Sequence, residues 1–199
     1  MARNRTLPRL AVPLAALALS GCISFGAKPP PVLLTLSSSA VMAPGTTRSA
    51  RAGEAITILP PRVPQSLATN RVPVQSGGTS IAYVKDAQWV DTPNRLFRAL
   101  LAETVSAKTG RMVLDNRQFS FDPGMTITGT LVNFGVDAST GEAVVTYDAA
   151  RATEGGARVE ERRFEARVAV SPIESAPVGA ALNTAANQVA DQVAVWIGG

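Results

Sequence analysis

Apolar and polar positions along this chain change period several times, and the changes mark out its elements. Residues 10–19 (LAVPLAALAL) are apolar throughout. They are too few to cross a bilayer, which takes about 20 such residues. After Pro29-Pro30-Pro31, the compact run 32–36 (VLLTL) predicts a first strand, and the small, polar stretch 37–53 with Pro44-Gly45 predicts a mobile loop. Residues 54–59 (EAITIL) predict a second strand, halted by Pro60-Pro61; residues 65–72 predict a helical turn followed by extended chain, and 80–84 (SIAYV) a short strand. The period then becomes helical. Leu96, Phe97, Leu100, Leu101, Thr104 and Val105 form one stripe of a helix from Pro93 to Thr109. Thr92 is its expected N-cap, Pro93 takes the first position, and Gly110 supplies the left-handed end. Residues 112–114 predict another brief strand.

Alternation of period two dominates the next stretch. Residues 125–136 place Thr126, Thr128, Thr130, Val132, Phe134 and Val136 on one face and Ile127, Leu131 and Asn133 on the other. The turns Ser139-Thr140-Gly141 and Glu154-Gly155-Gly156 separate this strand from two more, 143–151 and 158–170. In the last, Phe164, Ala166, Val168 and Val170 face one way, with Glu165 and Arg167 opposite. The charged run 160–163 is expected to pair across strands on a solvated face. Val178, Leu182, Ala185, Val189, Val193 and Trp196 then define a terminal helix from about Pro177 to Gly198. Its remaining faces carry Ala, Asn and Gln rather than Lys and Arg, so it is expected to pack on the sheet rather than lie on a membrane. The fold class that follows is α/β, a sandwich containing a mixed, partly antiparallel sheet and two main helices.

Chemistry begins with the one cysteine. Arg3, Arg5 and Arg9 precede the apolar run with no acidic residue, which is the layout of a secretory signal peptide. The run leads into Leu19-Ser20-Gly21-Cys22, which resembles the lipobox of bacterial lipoproteins. The resemblance implies diacylglyceryl transfer to the Cys22 sulfur, cleavage between Gly21 and Cys22, and acylation of the new amino terminus. Residues 1–21 thus read as a lipoprotein signal peptide, 22–31 as a lipidated tether and 32–199 as a single domain. Ile23 is not the Asp that commonly retains such proteins in the inner membrane, so the expected location is the outer membrane, facing the periplasm.

Removing the leader changes the charge. Three of the 19 cationic residues lie before Cys22, leaving 16 against 15 acidic ones, a net +1 rather than +4. No nucleic-acid partner is expected from a chain with so little clustered positive charge. With no histidine, a Ser-His-Asp triad and His-ligated metal are excluded. No cofactor, metal site or catalytic residue is expected. Asp86 and Asp91 flank Trp89 and are the only carboxylates worth weighing for acid/base work, yet a strand end and a helix start account for them. Tyr83 and Trp89 read as interface anchors or core, with core favoured for Trp89.

In order, these pieces resemble the ABC-type transport auxiliary lipoprotein family. The residues that carry the resemblance are Tyr83-Val84-Lys85-Asp86-Ala87-Gln88-Trp89, the Leu96/Leu100/Leu101 helix ending in glycine, Val132-x-Phe134 before a turn, and Ala180-Ala181-Leu182-Asn183 leading to Val195-Trp196-Ile197. The family's usual Arg before that Phe is Asn133 here. The resemblance implies a three-layer, anticodon-binding-like domain with no catalytic site. It also implies the outer-membrane lipoprotein of an MCE-type system, docking a periplasmic MCE-domain protein served by an inner-membrane ABC transporter, with a homo-oligomeric ring as one arrangement. The alternative is a periplasmic lipid-binding lipoprotein that carries cargo in its own cavity.

Overall fold

The computed structural model describes residues 32–51, 53–115 and 124–198. The expected signal peptide, its cleavage site at Gly21, the tether and Cys22 lie outside the described residues. Seven strands form one mixed sheet: β1 (Ile56–Ile58), β2 (Arg71–Ser76), β3 (Ser80–Gln88), β4 (Val113–Leu114), β5 (Met125–Asp137), β6 (Glu142–Thr153) and β7 (Arg158–Ala169). Two helices join them, α1 (Pro93–Thr109) and α2 (Ser175–Gly198). The 13-residue β5 organises the rest. Along one edge it pairs antiparallel with β6, which pairs antiparallel with β7. Along the other edge it takes two parallel partners end to end, β1 at Met125–Ile127 and β2 at Val136–Asp137. Outside these lie β4 on β1, parallel, and β3 on β2, antiparallel.

The faces of β5 differ from the simple alternation. Leu131 pairs with Tyr147, but Asn133 pairs with Thr146, so Val132 is an extra residue, a bulge. One extra residue reverses the parity of everything after it. Phe134 and Val136 therefore join Ile127 and Leu131 on the buried face, and the threonines do not share a face with Phe134. Four rings meet there. The Phe134 ring lies 5.4 Å from Trp89 and 6.5 Å from Phe97, and Phe97 lies 5.2 Å from Tyr147. Such tilted and edge-on pairs add about 0.5–1.5 kcal/mol each beyond their burial. Gly129, on the same side, has no room for a side chain, because an added Cβ would come within 2.7 Å of the Tyr147 ring.

Both helices cover this one face. Phe97 of α1 reaches Phe134 and Tyr147, and Trp196 of α2 lies 5.5 Å from Phe164, which pairs with Tyr147 across the ladder. α1 occupies the predicted bounds and ends at Gly110 with φ 72°. Thr92 stands at its N-cap position, but its hydroxyl caps nothing. The Asp91 carboxylate instead accepts the Thr92 amide at 2.7 Å. α2 begins two residues earlier than predicted and buries the expected stripe from Val178 to Trp196. It also buries Ala186, Ala190 and Ala194 off that stripe, and Asn187, over which a further layer lies.

That layer is residues 34–48. The predicted first strand is reduced to a single bridge: Leu34 donates to Gln88 O at 2.7 Å and accepts from Val90 N at 2.9 Å. Its side chain fills the space over Gly179, and the chain then leaves the sheet edge to cross the helices. The segment predicted as a mobile loop has no regular structure but is held at many points. Ser37 N donates to Asn183 Oδ1 at 2.9 Å and Ser39 N to Asn187 Oδ1 at 2.8 Å. Asn187 Nδ2 returns a bond to Ser37 O at 2.9 Å. The Ser38 and Thr104 hydroxyls are 2.8 Å apart, and Arg48 donates to the Ser106 and Arg111 carbonyls. At roughly 100° per residue, Asn187 lies half a turn around α2 from Trp196, so the strap covers the face turned away from the sheet. The three layers are sheet, helix pair and strap.

Two stability measurements follow. Phe134→Ala should lower the urea-unfolding free energy by about 3–5 kcal/mol, the range for truncating a buried aromatic. Thr128→Ala, on the exposed face, should change it by less than about 0.5 kcal/mol. Asn187→Ala should cost about 1–3 kcal/mol and leave two strap groups unpaired. Its signature is faster amide exchange at Ser39, with exchange in β5 and β6 unchanged.

Candidate docking face

With both helices on one side, the other side of the sheet is left open, and the bulge decides what it displays. Before Val132 the open face of β5 carries Thr126, Thr128 and Thr130; after it come Asn133 and Asp137. β6 adds Val144, Thr146 and Asp148, and β7 adds Arg163, Glu165 and Arg167. A chain of polar contacts runs across these strands. Asn133 Nδ2 donates to Thr146 Oγ1 at 3.2 Å, and Thr146 donates to Glu165 Oε2 at 2.8 Å. Arg167 donates from Nε to Glu165 Oε1 at 2.8 Å and lies 3.4 Å from Glu142 Oε2. Arg163 grips Asp148 with two bonds, 2.6 and 2.7 Å. Thr146 is 1% exposed and Val144 6%, so the middle of this face is covered by its own surrounding side chains.

The electrostatics follow the bonds. The Thr146 hydroxyl, and then Arg167, hold the Glu165 carboxyl below its ordinary value. The Arg163 guanidinium does the same for Asp148, and the hydroxyl and amide of Ser139 for Asp137. Charges that satisfy one another in this way present a polar, sign-balanced surface. Beside them, where β2 and β3 meet the meander, Pro73, Ile81, Val132, Asn133, Val144 and Arg167 line an open cleft of about 250 Å³. Tyr83 borders this region with the Arg71 guanidinium stacked over its ring at 4.1 Å.

The charged run 160–163 pairs across strands on both faces, through Arg163 on the open one and through Glu160 on the helix side. Arg151 donates to Glu160 Oε2 at 2.8 Å, and the Trp196 indole donates to Glu160 Oε1 at 2.8 Å. The indole bond, then Arg151, pull the Glu160 carboxyl below its ordinary value. Arg151 also stacks over the Trp196 ring at 4.8 Å and donates to its carbonyl at 2.5 Å, locking the end of α2 to the sheet. Trp89 is core, 1% exposed, with its indole N–H unpartnered. Asp91 is taken up by the start of α1, and Asp86 sits exposed in the left-handed region at φ 54°. They do not form an acid/base pair. Sequence reasoning missed Thr146, Glu165 and the Asn183/Asn187 clamp. Two asparagines four apart on an alanine-rich helix were the available signal for the clamp, since buried amides need partners.

The depressed carboxylates give a pH dependence of known sign. A carboxyl whose folded pKa lies below its unfolded one stabilises the fold above the unfolded value, and that contribution disappears as pH falls through the folded one. The urea midpoint should therefore drop on acidification from about pH 6 to about pH 3. Glu165→Gln should make the drop shallower by a modest amount, because the pair is partly exposed and screened.

Comparison with known proteins fits this architecture. No curated protein matches the chain. Among solved structures, protein XCC0632 from Xanthomonas campestris superposes with a TM-score of 0.66 at 15% identity, covering 83% of this chain and 94% of that one. An uncharacterized protein superposes with a TM-score of 0.62 at 16% identity, covering 83% and 99%. Both share the fold. The family model described as the ABC-type transport auxiliary lipoprotein component matches residues 34–194, from the start of the strap nearly to the end of α2. The chain therefore belongs to the ABC-type transport auxiliary lipoprotein family.

Proposed function

We propose that this protein is a non-enzymatic docking subunit of an MCE-type transport system. In this reading the chain is cleaved after Gly21 and acylated at Cys22, and sits on the periplasmic face of the outer membrane. There it receives a periplasmic MCE-domain protein whose inner-membrane ABC transporter moves lipids or other hydrophobic molecules, with copies of the subunit arranged as a ring. Family membership across the whole folded unit is the observation that carries this reading. The open sheet face supports it. Its charges are already paired within the fold, which leaves a broad, sign-balanced surface suited to a protein partner.

A cargo carrier has less to draw on. The space between helices and sheet is filled by fully buried side chains from Ile56 to Ile197. Among the described residues the concavities are open at the surface, including a groove of about 640 Å³ at the ends of α1 and α2, lined by Lys108, Arg111, Val195 and Ile197. A ligand pocket of that volume ordinarily encloses most of its ligand.

Affinity purification from native membranes after cross-linking should recover an MCE-domain protein, and deletion should raise outer-membrane permeability. Recovery of no such protein, together with unchanged permeability, would sink the docking role. Cys22→Ser should abolish acylation and the cleavage that follows it, so intact mass should show the acyl chains missing and residues 1–21 retained.

A further inference from the structure

Four of the large apolar side chains left exposed by the fold surround the place where the chain joins the folded body. Val32 and Leu33, 68% and 46% exposed, immediately precede the bridge at Leu34. Val90, 54% exposed, donates its amide to Leu34 O from the other side of that bridge. Ile173 lies just ahead of α2, whose Gly179 the Leu34 side chain covers. Of the other exposed ones, Val41 and Met42 lie on the strap, with Met42 against Ser106 of α1, and Ile81 lines the cleft of the open face. Val159 and Val195 are at the other end of the molecule, by the β6–β7 turn and the end of α2. With 24 residues, α2 separates the two ends by about 36 Å.

Chain length says what faces the first group. Cys22 is ten residues before Val32, and even a fully extended chain covers no more than about 3.6 Å per residue, so Val32 lies within about 36 Å of the cysteine. Acyl chains on that cysteine hold it at the bilayer surface, which keeps the apolar corner at high effective concentration against lipid. Val159 and Val195, a domain length farther out, have no such neighbour.

We propose that this corner rests on the lipid bilayer: Val32, Leu33, Val90 and Ile173 enter the interface of the membrane that holds Cys22, and α2 stands with its N-terminal end toward it. The proposal rests on the lipid-anchor reading above and goes beyond it by fixing the orientation of the domain. The open sheet face is then turned sideways, along the membrane, and the β6–β7 turn points into the periplasm.

The test uses the full-length, acylated protein in vesicles of phosphatidylethanolamine and phosphatidylglycerol, at high dilution in lipid. Val90→Cys, Ile173→Cys and Val159→Cys variants are each labelled with a thiol-reactive fluorophore, to which acylated Cys22 is inert. Spin-labelled lipids carrying a shallow nitroxide then serve as quencher. The expected result is loss of emission at positions 90 and 173 and none at 159. Any other pattern overturns the proposal, including no loss anywhere, loss at all three positions, or shielding from aqueous iodide at 90 without quenching by lipid, which would mean a second copy covers the corner. Intact mass reports acylation of Cys22 separately, so a failed anchor and a failed orientation give different results.

Discussion

The parity of β5 is the constraint on which the other layers depend. A strand shows alternate residues to its two sides, and one inserted residue exchanges the sides beyond it. Val132 is that residue. Ahead of it Ile127 and Leu131 point at the helices; after it, so do Phe134 and Val136. Without the insertion, the Phe134 ring would turn to solvent and leave Trp89 and Phe97 without their shared partner. The same insertion turns Asn133 outward, where its amide joins Thr146 and Glu165. One backbone irregularity thus builds the core and the polar side of the sheet together.

The strap answers a different problem. Two helices on one face of a sheet still have an outer side of their own, and α2 is apolar or small almost all round. Left bare, Gly179 would lose the Leu34 side chain packed over it and Asn187 would lose its partners. An extended segment suits the task only if its backbone groups find partners, because it has no ladder to supply them. Asn183 and Asn187 provide those partners along one side, while along the other the side chains of Ser38 and Arg48 reach the Thr104 hydroxyl and the Ser106 carbonyl of α1.

Legibility in the sequence followed the range of the interactions. Local signals came through. The Pro93 start and Gly110 end of α1, the two turns of the meander and the stripe of α2 all stand where their patterns put them. Signals that depend on a distant partner did not. The reversal within β5 needs the register of β6, which no local window contains. Residues 32–36 look like a strand because apolar runs of that length usually are, but Leu34 makes only a bridge to Gln88 and Val90, and the amides of Ser37 and Ser39 just beyond go to asparagines some 150 residues away. At the candidate site, charge alternation along β7 was readable, whereas the pairing of Glu165 with Thr146 was not, since hydroxyls mid-strand look alike until their neighbours are known.

The electrostatics of the open face bear on what kind of partner suits it. A surface selected to seize an anionic ligand leaves cations unpaired and oriented inward on one spot. Here Arg163 is held by Asp148, and Arg167 by Glu165 and Glu142, so these two arginines are already neutralised within the fold. What remains for a partner is shape, a shallow cleft beside the bulge, and a rim of fixed dipoles whose order comes from the ladder beneath them. Such a face rewards a large, matching surface more than a single strong ligand. That property suits the docking role proposed above, and the inserted residue adds to it by turning the Asn133 amide toward Thr146.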